Sequence, residues 1–117
     1  MIAHVVLFNP KPSASRELLL SCAQLLERLA REVPGVIRAS VGRTVEIDAG
    51  YPRAFGETTY RNVCVLEFED KASLINYLNN PLHRDLGRLF WELCDSAAIL
   101  ESEMVDAKRE SLTRLLV

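Results

Sequence analysis

A chain of 117 residues has room for one domain, and 49% hydrophobic with 26% charged residues is the make-up of an ordinary globular protein. That excludes a disordered or fibrous chain, and the length leaves no space for a nucleotide-binding sheet beside a separate substrate domain. Lys and Arg number 14 against 16 Asp and Glu, a net charge of -2 with the basic residues scattered, so neither nucleic acid nor a membrane surface is an expected partner.

The first eight residues, with His4 among them, lack a basic leader, a long apolar stretch and a small-residue cleavage site, so the expected location is cytoplasmic. No apolar run approaches the roughly 18 residues of a membrane span. Residues 3–9 are β-branched and aromatic and end at Pro10, which predicts a first strand. After Pro12, with Ser13 or Ser15 as cap, Leu18, Cys22, Leu25, Leu26, Leu29 and Val33 recur at helical spacing until Pro34-Gly35 stops them. Residues 36–45 read as a second strand, with Gly42 marking a bulge or a close approach. Residues 46–60 are rich in Gly, Pro and polar side chains; a patternless loop of this length is expected to be functional or mobile. Residues 62–68 form a third strand, Asp70 caps a short helix, and Asn80-Pro81 opens another over 81–94. A fourth strand follows over 96–105, and the tail from 106 to 117 carries Leu112, Leu115 and Leu116 on one side of a final helix.

The order β-α-β-β-α-β, with its second helical segment split at Pro81, predicts an α+β, ferredoxin-like protomer: an antiparallel sheet with helices on one face. Residues 5–8, 63–66 and 97–100 are apolar without alternation, so both faces of those strands ask to be buried. Helices cover only one. A second copy of the chain, packed sheet to sheet, is the expected partner.

Few residues offer chemistry. Cys22, Cys64 and Cys94 lie far apart in apolar segments, as small buried hydrophobes do and metal-binding or redox pairs do not. His4 lies in the first strand and His83 in the first turn after Pro81, with Tyr77 six residues before it. A core or capping histidine satisfied by a local hydrogen bond is the ordinary reading of each, and a buried aromatic that of Tyr77; acid-base chemistry is the sharper reading. Neither histidine has a second ligand at zinc spacing, Glu67, Glu69 and Asp70 form no convincing dyad, and no phosphate loop, dinucleotide fingerprint or nucleophile elbow occurs. No metal and no cofactor is therefore expected.

The opening His4-Val5-Val6-Leu7-Phe8, Val33-Pro34-Gly35-Val36, Val41-Gly42-Arg43, Glu67-Phe68-Glu69-Asp70 and Tyr77-Leu78-Asn79-Asn80-Pro81-Leu82-His83, in this order, resemble the stress-responsive A/B barrel (Dabb) domain family. The resemblance covers residues 2–105, which sets an expected domain of 1–105 followed by the 106–117 tail. It implies a homodimeric α/β barrel associated with stress responses. Within the family it extends to olivetolic acid cyclase, a plant polyketide cyclase that closes a ring by an aldol step without metal or cofactor. By that similarity His83 would be the general base, and Tyr77 and His4 would hold and polarise substrate oxygens. One departure is Asn62, where the cyclase has a further histidine. Two readings follow: a homodimer whose pocket binds a small, partly apolar molecule, or a cofactor-free enzyme working on a carbonyl compound. A purely structural or assembly role is a third.

Overall fold

In the computed structural model, which describes residues 1–48, 50 and 59–117, the elements run β1 (Ile2–Pro10), α1 (Arg16–Glu32), β2 (Val36–Arg43), β3 (Asn62–Phe68), α2 (Lys71–Leu78), α3 (Pro81–Leu93), β4 (Cys94–Glu103) and α4 (Thr113–Leu116). The first three helices each begin on a side-chain oxygen that satisfies a free N–H of the first turn. Ser15, rather than Ser13, accepts from Leu18 N–H at 3.0 Å, Asp70 from Ser73 N–H at 2.8 Å, and Asn80 from Leu82 N–H at 2.9 Å, with Pro81 at the first helical position. The tail forms only the four-residue α4, which starts without a side-chain cap. Residues 49 and 51–58 of the loop expected over 46–60 lie outside the described residues.

The four strands pair antiparallel in the order β2-β3-β1-β4. This is the ferredoxin-like arrangement, with β1 central. Because side chains alternate along a strand, Ile2, His4, Val6 and Phe8 share one face, and the register adds Cys64, Leu66 and Phe68 of β3 to it. The helices pack on that face, where Leu29 and Phe68 are 0% exposed and Leu66 and Tyr77 1%. On the opposite face Val5 lies between Val65 and Leu100, and Leu7 between Val63 and Ala98. These side chains are half-buried apart from Leu100, which is 46% exposed.

Several boundaries depart from the sequence reading. Gly42 is regular strand, its place for a side chain in ordinary contact with Val63 Cγ1 at 3.5 Å. The irregularity lies instead between Val36 and Arg38, where Ile37 is the extra residue just after the turn at Gly35. β4 starts at Cys94, not 96, because α3 runs straight into it and the Leu93 carbonyl accepts from Lys11 N–H at 2.7 Å. It is also an edge strand rather than a central one. Its Ile99 is 47% exposed, so within one chain the expected burial of both faces fails there.

Gly35 is held by two constraints: φ is +91°, and a Cβ there would meet Ser73 Cβ at 2.7 Å. Gly35→Ala is expected to lower stability by about 2 kcal/mol or more, combining the left-handed backbone penalty with an overpacked contact. Thermal melts followed by circular dichroism check this, and an unchanged midpoint would contradict both constraints.

Candidate functional site

The period of two in β1 turns His4 toward the helices together with Val6 and Phe8. α2 carries Tyr77 in its last turn, the chain breaks at Asn79-Asn80, and α3 restarts with His83 in its first turn. The break brings the Tyr77 and His83 rings edge to face, with centroids 4.8 Å apart, while the His4 and Tyr77 centroids stand 6.1 Å apart. All three line one cavity of about 780 Å³ between the sheet and the helices of a single chain. The residues singled out from the sequence are thus brought together. The cavity lies on the helix-covered face, opposite the apolar face that asks for a partner. Most of its wall is apolar, with Phe8, Leu26, Leu86 and Phe90 among the contributors, and Asn62 also lines it.

His4 is 6% exposed, and its Nδ1 lies 2.8 Å from both carboxylate oxygens of Glu101. The carboxylate accepts from Nδ1–H, which fixes the tautomer and leaves Nε2 for other partners. Sequence reasoning alone does not single out Glu101. The signal that finds it is strand pairing, since Glu101 stands directly opposite His4 in the β1–β4 register.

Tyr77 is 1% exposed, and its hydroxyl has no hydrogen bond among the described residues. The residue lines the cavity. Burial, then the Cys64 thiol and Glu101, pushes this phenol's pKa well above its ordinary value. It therefore stays an O–H donor throughout the neutral range. Burial lowers the pKa of His83, and the neighbouring His4 adds to this, while a hydrogen bond to the Leu78 backbone and the charge of Glu101 pull the other way. The net result is a neutral imidazole at pH 7, the form that takes up a proton.

The other candidates have structural roles. Glu67 pairs with Arg38 at 3.4 Å, and Asp70 caps α2, its pKa lowered by the hydrogen bonds from Ser73. All three cysteines are free and buried; Cys22 and Cys64 also line the cavity. Burial pushes the Cys64 thiol up to about 11, and burial with Cys22 and Asp95 nearby does the same for Cys94. Among the described residues no group of three or more His, Cys, Asp or Glu is placed to hold a metal ion, and no helix is long and apolar enough to cross a membrane.

Solved structures share this architecture. The hydroxynitrile lyase from Passiflora edulis superposes with a TM-score of 0.74 at 17% identity, over 90% of this chain and 94% of its own. An Arabidopsis thaliana protein gives 0.71 at 18% identity, covering 91% and 97%. A dimeric ferredoxin-like protein of unknown function from Jannaschia gives 0.71 at 22% identity, covering 88% and 98%. No curated protein matches the chain. The model of the stress responsive A/B barrel domain matches residues 2–104, the whole of the ferredoxin-like unit from β1 to β4, and the protein belongs to that family, Dabb.

Proposed function

We propose that the protein is a homodimer whose cavity binds a small, partly apolar carbonyl compound and carries out acid-base chemistry on it through His83, Tyr77 and His4. The observation that carries this reading is the meeting of three polar side chains, two with pKa values displaced by burial, on one mainly apolar cavity. The likeness to a hydroxynitrile lyase supports it, because a hydroxynitrile is the adduct of a carbonyl and cyanide. A family tie to stress responses and a cytoplasmic location belong to the same proposal.

The chemistry follows from the protonation states. Neutral His83 removes a proton from the carbon next to a carbonyl, and the C–H electron pair moves through carbon to the carbonyl oxygen. Tyr77 O–H donates to the enolate oxygen that forms, and His4, its Nδ1–H given to Glu101, presents Nε2 as an acceptor for an enol or hydroxyl O–H of the substrate. The enolate carbon can then attack another carbonyl of the same molecule. The resulting alkoxide takes back the proton that His83 holds, so the enzyme ends as it began.

His83→Ala is expected to slow conversion of a poly-β-keto thioester by about 10²- to 10⁴-fold while leaving the oligomer intact. Tyr77→Phe should cost about 10²-fold. Product formation by chromatography reads both, and full turnover by His83→Ala would remove this residue from the mechanism. The pH profile supplies a separate check. kcat/KM should fall on acidification as His83 takes up a proton, with a midpoint below the ordinary histidine value of about 6.5, and Tyr77 should add no alkaline fall below about pH 10.

For the assembly, light scattering behind size exclusion should report a dimer at micromolar concentration. Val65→Asp, which puts a charge at the centre of the uncovered sheet face, should shift it to monomer. A wild-type monomer would overturn the homodimer.

A further inference from the structure

Gly87 lies in the interior of α3, where glycine weakens a helix relative to alanine. Elsewhere the backbone accounts for such a residue, as at Gly35 with its positive φ and the pressing Ser73. Gly87 has neither feature: its φ is negative, and a Cβ built on it meets no heavy atom within 4 Å. The open space beside it is not bulk solvent alone, because Gly87 lines the cavity.

Its position along α3 gives that space a direction. His83, Gly87 and Trp91 are spaced four residues apart on one face of the helix, and all three line the cavity. Trp91 is 63% exposed, its ring in a T-shaped contact with Phe90 at a centroid distance of 5.6 Å, so it forms the outer end of this row. A molecule whose oxygens lie against His83 and Tyr77 and that extends along α3 toward Trp91 passes over Gly87. The distance is two turns of helix, about 12 Å.

We infer that Gly87 determines specificity, keeping open a path along α3 so that the cavity takes carbonyl compounds bearing an extended apolar group that reaches Trp91. The inference rests on the carbonyl-binding reading above and adds to it the shape of the substrate and the residue that selects it. A larger side chain at 87 occupies the path while leaving the polar end untouched. Short ligands should bind as before and long ones should be lost.

Two probes test this: acetylacetone, and a 1,3-diketone carrying an unbranched heptyl chain, each measured by equilibrium dialysis. Trp91, the single tryptophan, reports by its fluorescence whether the far end is reached. The wild-type protein should bind both, with only the heptyl compound changing Trp91 emission. Gly87→Leu should weaken the heptyl compound at least about tenfold and leave acetylacetone within about twofold. Gly87→Ala should raise the melting temperature by about 2–4 °C, since it gains helix propensity and meets no neighbour. Equal binding of the heptyl compound by Gly87→Leu, or a lower melting temperature for Gly87→Ala, would overturn the inference. Binding of acetylacetone alone by the wild type would overturn it and spare the carbonyl-binding reading; binding of neither probe would overturn both.

Discussion

The site depends on the register of one strand. β1 is bonded to β3 on one side and β4 on the other, and side chains alternate along it, so the pairing decides which of its residues see the helices. In the observed register His4 looks into the cavity and stands opposite Glu101, while Val5 looks out from the other face. A slip of one residue would exchange them, placing a histidine on the apolar outer face and a valine among the polar groups. Val6 and Phe8 on one face and Val5 and Leu7 on the other are all apolar, so a slip would trade like for like there, and its cost falls on His4, which would lose both the cavity and Glu101.

A second constraint is the interruption between α2 and α3. Were residues 71–93 one continuous helix, Tyr77 and His83 would project about 120° apart around its axis. Asn80 caps a new helix, Pro81 supplies a fixed φ without needing a donor, and the chain changes direction. The two rings then meet at 4.8 Å. Burial does the remaining work, since the same apolar surroundings that exclude water keep the imidazole neutral and the phenol protonated.

Much of this was legible before any coordinates. Element order followed from periodicity and punctuation, and the roles of Asp70, Pro81 and Gly35 from local chemistry that needs no tertiary context. His4, Tyr77 and His83 stood out as the few residues offering chemistry, but their roles came from family resemblance rather than spacing, because 79 positions separate the two histidines. Glu101 stayed hidden for a physical reason: an acid on a strand edge looks like any solvated charge until its partner across the ladder is known. Gly42 drew attention as a glycine within a strand, yet the irregularity sits at Ile37, where the chain leaves a positive-φ turn. Gly87 has the opposite history. In a helical pattern it reads as a mild defect, and only the empty volume beside it gives the defect a purpose.

The buried thiols have a bearing on the kind of molecule this cavity can hold. Carbonyl compounds, and conjugated ones above all, are electrophiles, and a thiolate in the wall would add to them. Burial pushes the Cys64 thiol up to about 11, so at pH 7 it stands as the neutral thiol, a far weaker nucleophile than the thiolate. Such a wall would be chemically quiet toward the carbonyl guest proposed above. Burial that reads as simple packing would then also protect the pocket from alkylation by such a guest.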